Sequence, residues 1–393
     1  MKPIGIAVVG ASGRSGMIFN YVSAHPARGF ITGVFDIIPE RSRFYLDEFD
    51  CPEAVVYESL EQAVRDPRAD AVFVAPTDEA HVEPAVAALK AGKHVFCEKP
   101  LAIKLEGCDA VAEAAAQSPN LLYVGMNLRH APMHDTMHRL VAEGRLGRLT
   151  TIEANEYYDG GKTYFRRWNR LRKHGGGLWI TKACHDFDIL NWFAGGRATR
   201  VSASSSLSYY RPRPEAGTHC RACPVADDCP DRLDLDDPGV KRSVRLRMLS
   251  EKATGQPVDL CLWNSDKDTF DNGVAVVEYD NDVRATYTVN VLTAISTRQL
   301  RLVGTEGTAE GDMRRGTVTY WRRHTGETFT YDLTAQMKSG HGGADARLMR
   351  DFFRCAATGD APRSGWRDGR ASVELGLAAR QSCDTGVAVD LPL

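Results

Sequence analysis

The chain has 393 residues, more than one ordinary hydrophobic core accommodates, so two domains are expected. Lysine plus arginine number 49 and aspartate plus glutamate 51, a formal charge of -2, which gives no global attraction to nucleic acid or to an anionic membrane and leaves only local basic patches to explain. No run reaches the roughly 18 apolar residues that span a bilayer, and the opening MKPIGIAVVG lacks a charged leader and a long apolar core, so a cytoplasmic protein without nucleic-acid or membrane partners is expected.

Ile4 to Val9 is an unbroken apolar run that stops at GASGRSG, Gly10 to Gly16, and the MIFNYVSAH that follows has helical spacing. Further short apolar runs come at ITGVFD, ADAVFVA, HVFC and LLYVGM, separated by helical stretches such as EPAVAALKAG and LEGCDAVAEAAAQS. Short apolar strands alternating with amphipathic helices predict βαβ units and a doubly wound parallel sheet covered on both faces. At the start of a helix, N–H groups lack partners and the dipole is positive, so a pyrophosphate is stabilised there if glycine lets it approach. Gly10, Gly13 and Gly16 make GxxGxxG, with Ser12 where GxGxxG has its second glycine. Asp36 closes the second run, where a carboxylate accepts hydrogen bonds from an adenosine ribose and repels a 2′-phosphate. NAD is therefore expected, with Arg41 keeping NADP as the alternative.

HVFC runs straight into Glu98, Lys99 and Pro100, at the carboxyl end of a strand, where doubly wound folds bind ligands. Pro100 biases Lys99 away from helical angles, and Glu98 is suited to tether the turn or offset the lysine's charge. Further on, NEYYDGGKTYFRRWNRLRKHGGG gathers Arg166, Arg167, Arg170, Arg172, Lys173 and His174 among Tyr164, Phe165 and Trp168. Aromatic faces suit sugar rings and guanidinium groups suit carboxylate, phosphate or sulfonate oxygens, so an anionic sugar is one expectation and a solvated or inter-subunit loop the other. GGGLWITKACHDFD then carries His185 on an expected helix; histidine is suited to removing a hydroxyl proton while hydride leaves the same carbon. Lys182 shares that helix face, as a second polar contact to substrate, a modifier of the histidine, or a solvent-facing lysine.

Six of the ten cysteines stand singly, which argues against a secreted disulfide framework. HCRACPVADDC is different: Cys220 and Cys223 form a CxxC, and Cys229 follows six residues later. A structural zinc is expected, with an iron–sulfur cluster, free thiols or a disulfide as alternatives. No basic recognition helix accompanies these cysteines, so a nucleic-acid finger is not expected. The flanking segments read as an irregular, cysteine-rich insertion near 209–262. GVAVVEYDNDVRATYTVNVL, QLRLVGTEGTAEGD and GTVTYWRR then predict a mostly antiparallel sheet, and SGHGGADARLMRDFF puts His341 and Asp345 at the start of a helix.

The glycine turn, Pro76 with His81, Glu98-Lys99-Pro100, Asn127 with Arg129 in YVGMNLRHAP, and GGGLWITKACHDFD keep an order that resembles the Gfo/Idh/MocA family of NAD(P)-dependent sugar oxidoreductases over most of the chain. GRASVELGLAARQS is similar to the family's last helix. The resemblance implies an NAD-binding Rossmann domain at 1–127 and a substrate-binding α/β domain at 128–393. The latter would have a large open sheet that walls the sugar site and forms a homodimer or homotetramer, and a last helix packing back on the first domain. It implies a dinucleotide site of Gly10, Ser12, Gly13, Arg14, Ser15, Asp36, Pro76, Thr77, His81, Glu98, Lys99 and Asn127. Lys99 would contact a substrate hydroxyl beside the nicotinamide and relay its proton with His185, aided by Lys182, with Tyr157 or Tyr158 lining the pocket. Arg166, Arg167, Trp168, Thr181 and His341 become candidate sugar contacts, and Cys261 the fourth metal ligand. The family commonly has an aspartate four residues before this histidine; Thr181 stands there, removing the simplest carboxylate orienter of His185.

Three functions follow as expectations. The first is an NAD-dependent sugar dehydrogenase. The second is an NAD-dependent glycosidase that oxidises C3, eliminates the aglycone, adds water and takes the hydride back, for a charged glycoside such as a sulfosugar. The third is a non-catalytic sugar-sensing protein of the same fold.

Overall fold

The computed structural model describes residues 2–337 and 340–393. Six strands form a first sheet: β1 (Ile4–Val9), β2 (Gly29–Phe35), β3 (Val55–Val56), β4 (Ala71–Val74), β5 (His94–Cys97) and β6 (Leu122–Val124), in the order β3-β2-β1-β4-β5-β6. Every pairing in it is parallel. The runs are apolar throughout because helices cover both faces; Ile6, Val8 and Phe73 face one core, and Ala7, Val72 and Val95 the other. The two-residue β3 was not foreseen, since its valines are half exposed and too few to make a pattern.

A second sheet follows: β7 (Leu149–Asp159), β8 (Ala198–Ser206), β9 (Asn272–Tyr279), β10 (Arg284–Asn290), β11 (Leu292–Gly304), β12 (Gly307–Asp312), β13 (Thr317–Arg322), β14 (Thr328–Asp332) and β15 (Val389–Asp390). Its order is β14-β13-β12-β11-β7-β10-β9-β8-β15, antiparallel except for β7 beside β10. Alternation is clean: Ala275, Val277, Tyr279, Ala285, Tyr287 and Val289 point inward, while Val274 and Val276 stay exposed on the outer face. The inner face packs on the Cys184–Ala194 helix and on the last helix, Trp366–Thr385.

The last helix belongs to both cores. Val373 and Leu377 pack with the first sheet, Leu375, Ala378 and Ala379 with the second, and Arg370 Nε lies 2.7 Å from Asp109 on the first domain. Two departures from expectation matter for the site. GGGLWITKACHDFD is not one helix: a turn at Leu178–Thr181 ends at Lys182, and a new helix starts at Cys184. The insertion is not wholly irregular, because Arg242–Thr254 is helical; charged residues interleaved with the apolar ones hid the spacing, and Val244, Leu246 and Ser250 are its buried residues. No helix among the described residues is long and apolar enough to cross a membrane.

Candidate active site

A cleft of about 970 Å³ opens at the carboxyl ends of β1, β4 and β5. Its opposite wall is the inner face of β7 and β11, the start of the Cys184–Ala194 helix and the start of the insertion helix. Strand ends in a parallel sheet point unpaired backbone and following loops toward one crevice, which is why the sequence motifs meet there.

One end of the cleft is made by the glycine turn. Gly10 has φ +90°, and a Cβ there would lie 2.3 Å from the Pro76 nitrogen, so only glycine closes this turn against β4. Gly10, Ser12, Gly13 and Arg14 line the cleft with Asp36, Pro76, Thr77, His81, Glu98 and Lys99. Ser15 does not: it is fully buried, donates from Oγ to the Gly10 carbonyl and accepts from the Ser12 N–H, so it braces the turn from beneath. Asn127 is also withdrawn, its amide donating to Asp345 at 2.9 Å behind the wall. Asp36 accepts from the N–H groups of Ala11 at 2.7 Å and Ile38 at 2.9 Å, which aim the carboxylate at the end of β2. His81 Nδ1 donates to the Pro100 carbonyl at 2.7 Å and holds the turn that carries Lys99. Arg14 pairs with Glu98 at 2.9 Å and Asp345 at 3.1 Å. A glycine turn with no room for a side chain, a helix start behind it and a carboxylate at the next strand end fit a dinucleotide.

The other end gathers ionisable groups. Lys99 Nζ donates to the Thr181 carbonyl at 2.9 Å. His185 is 5% exposed, and its Nδ1 has no hydrogen-bond partner among the described residues. Burial, and then Lys99, Arg298, His341 and Lys182 around it, hold its pKa well below the usual imidazole range, so the ring is neutral and able to accept a proton. Lys182 stands at the helix break, 2.9 Å from Glu156 and with Nζ 4.2 Å above the Tyr158 ring; burial lowers its pKa, and Glu156 opposes the shift. Thr181 and Trp168 also line the cleft here, and Arg167 lines it between this end and the insertion helix, where its charge is felt by both Asp78 and Arg247. His341 reaches it because His341, Gly342 and Gly343 all have left-handed φ, and its ring centroid is 6.1 Å from that of His185. Its Nδ1 lies 3.0 Å from Asp345.

Two expected contacts are displaced. Tyr157 lies on the opposite face of β7 from Glu156 and Tyr158, because strand neighbours alternate, so it borders the cleft while also lining a pocket on the outer face. Arg166 turns away into the insertion, donating to the Asp231 carbonyl with Nη2 3.8 Å from Cys220 Sγ.

Four charged residues escaped the sequence reading. Asp78, in the turn after β4, is 6% exposed with Oδ2 unpartnered among the described residues. Burial pushes its pKa up to about 7, while Lys99 and the Thr181 hydroxyl pull it back. Glu156, Asp186 and Arg298 form a buried network beside Lys182: Arg298 pairs with Glu156 and, at 2.8 Å, with Asp186, which accepts from Tyr287. The signal for Glu156 was an acid in an otherwise inward-facing register of β7; nothing local marks Asp78 as buried.

The cysteines share a second cavity of about 160 Å³, lined by Cys220, Cys223, Cys229 and Cys261 together with Arg166. A two-residue bridge, His219 beside Leu260, brings Cys261 to the CxxC turn. All are free thiols, and among the described residues no three His, Cys, Asp or Glu side chains are close enough to hold a metal ion. The expected zinc, and the iron–sulfur alternative, thus have no support, and the Arg166 guanidinium lies 3.8 Å from the Cys220 thiol.

Known proteins agree with this architecture. Residues 4–126 match the description "Oxidoreductase family, NAD-binding Rossmann fold", and residues 138–391 match "Oxidoreductase family, C-terminal alpha/beta domain". The chain is 31% identical over 356 residues, 82% of each protein, to the putative oxidoreductase YteT of Bacillus subtilis. It is 36% identical over 184 residues to the 1,5-anhydro-D-fructose reductase of Ensifer adhaerens, a match spanning 46% of this chain and 54% of the reductase. A levoglucosan dehydrogenase solved with NADH superposes over 99% of both chains with a TM-score of 0.78 at 17% identity, which speaks for the fold alone. On the two matched domains and the cleft between them, the chain belongs to the Gfo/Idh/MocA oxidoreductase family, with the family's NAD-binding Rossmann domain and α/β domain.

Proposed function

We propose that the protein is an NAD-dependent dehydrogenase of a neutral sugar or polyol. The observation that carries this reading is the convergence of Lys99, Asp78 and His185 at the end of a cleft that begins at the glycine turn. Bound NAD supplies the hydride acceptor. The neutral His185 imidazole takes the hydroxyl proton of the substrate carbinol. Lys99, fixed on the Thr181 carbonyl, holds the same oxygen by its ammonium and stabilises negative charge as it develops there. Asp78, beside Lys99, is the group to which the proton passes on. The two buried cations at the sugar end, Lys182 and Arg298, are balanced by Glu156 and Asp186, which favours hydroxyl-binding polarity there and a neutral substrate. Asp36 favours NAD over NADP.

The test is NADH formation from NAD across a panel of neutral sugars, polyols and uronic acids. Lys99→Ala and His185→Ala should each lower kcat/KM by about 10²–10⁴ on the substrate found. Unchanged turnover in both would refute these roles for Lys99 and His185, and binding of a sugar without turnover by the wild type would leave a sugar-sensing role. The number of ionisable groups exceeds what a one-proton oxidation needs, and Lys182 and His341 favour a second reading, a glycosidase that oxidises and re-reduces the sugar. Aglycone release at catalytic NAD without NADH build-up would select it. The outer sheet face, with Val274 and Val276 exposed, is the surface we propose for a second copy of the chain; a monomer by light scattering would contradict that.

A further inference from the structure

The insertion was expected to be irregular and to hold a structural zinc. Its helix does something else. Arg242–Thr254 lies across the Rossmann domain, Arg242 and Arg245 pairing with Glu48 at 2.9 and 3.3 Å. Its first residues sit on the glycine turn: a Cβ on Gly16 would meet Arg242 Nη1 at 2.3 Å, and one on Gly13 would lie 3.4 Å from the Ser243 Cβ. One turn on, Arg247 lines the same cleft as Ser243, and Arg41 donates to the Leu246 carbonyl at 3.1 Å.

The cations on the Rossmann side of this turn are already engaged. Arg14 is drawn to Glu98 and Asp345, Lys99 to the Thr181 carbonyl, and Arg41 to Leu246 with Asp36 3.9 Å away. A diphosphate on the turn would meet backbone N–H groups but no free positive charge from its own domain. Two guanidiniums outside that domain remain available. The Arg167 carbonyl accepts from Arg170, but its guanidinium makes no hydrogen bond or ion pair among the described residues. Arg247 gives one N–H to the Val258 carbonyl, and its Nε is buried without a partner. Burial and the positive charges of Arg167, Arg166 and Arg41 lower the Arg247 pKa to about 10, a clustering of like charge that an anion would relieve.

We infer that Ser243, Arg247 and Arg167 form an oxyanion site over the glycine turn that grips the diphosphate of the cofactor, so that the cysteine-rich insertion is a strap across the bound dinucleotide. This rests on the NAD reading above and deepens it. Guanidinium groups suit phosphate oxygens through paired N–H donors, and the Ser243 hydroxyl adds a third contact from the same helix. Held from both sides, the nucleotide would leave slowly and stay with the protein through purification.

The test is the Kd of NADH, ADP-ribose, ADP, adenosine and NADPH by calorimetry, for the wild type, Arg247→Ala, Arg167→Ala and Arg247→Lys. The strap predicts that each alanine variant weakens NADH, ADP-ribose and ADP by about tenfold or more, leaves adenosine unchanged, and that lysine restores part of the loss. Arg167 lies on a different segment, so its variant decides the matter if Arg247→Ala does not fold. Equal NADH affinity in wild type and variants overturns the strap while leaving the dehydrogenase reading intact. So does weakening confined to NADPH, which would make this a 2′-phosphate site, or a rise confined to the sugar KM, which would make it a substrate site. A wild type that binds none of the nucleotides would overturn the NAD reading itself.

Discussion

Asp78 and Thr181 together show how one altered position is compensated across the fold. Thr181 stands where the family usually has an aspartate one turn before the histidine, yet a carboxylate is still present, contributed by the turn after β4 and held near Lys99 and the Thr181 hydroxyl. With its pKa raised to about 7, Asp78 should govern the acid limb of the pH profile: oxidation requires its ionised form, so kcat/KM rises as pH passes through about 7. Asp78→Asn should remove that limb and lower kcat/KM by about 10²; a pH–rate profile shaped like the wild type's would refute the role. Stability carries the opposite sign. A carboxyl whose folded pKa is raised contributes fully below its unfolded value of about 3.9 and loses that contribution as pH rises through about 7, so Asp78→Asn should melt higher than wild type at pH 8 and equally at pH 4. Lys99, His185 and the glycines were legible because their chemistry and spacing are local. Asp78 was not, because a carboxylate in TDEAH looks solvated until β5 and the Cys184–Ala194 helix close over it.

At the scale of elements, the strand ends and the His185 helix set the geometry. That helix is anchored by Asp188, one turn beyond His185, which accepts two N–H groups of the buried Arg129 at 2.7 and 2.8 Å; Arg129 also reaches Asp368 at the start of the last helix. Removing one partner of a buried pair leaves an uncompensated charge, so Asp188→Asn should cost about 3–5 kcal/mol in urea unfolding. A loss below about 1 kcal/mol would show that the helix is held by packing alone. The alternating strands and helices of the first half were readable because parallel strands buried on both faces are unbroken apolar runs. The break at Lys182 and the helix at Arg242–Thr254 were not: the first depends on Lys182 finding Glu156 on β7, the second on a helix whose buried side is only three residues wide. The cysteine spacing suggested a metal, but spacing along the chain could not reveal that Arg166, predicted to meet the sugar, turns to Cys220 and the Asp231 carbonyl instead.

The whole molecule is a crevice between two sheets, bridged by the last helix and crossed by the insertion. The same arrangement explains why a chain with little net charge still concentrates so many ionisable groups at one spot: they are supplied by different elements, and Lys182 and Arg298 are balanced there by Glu156 and Asp186. Lys99 comes from the first domain, His185 and Lys182 from the joint between domains, Glu156 and Arg298 from the second sheet. This joint should face the nicotinamide, and a crystal structure of the NADH complex soaked with a sugar or polyol substrate would show whether it does. The nicotinamide C4 is expected to face Lys99 Nζ and the His185 ring, with the substrate carbinol within about 3–3.5 Å of C4. A nicotinamide ring bound away from those two side chains, or a dinucleotide bound outside the cleft, would contradict it.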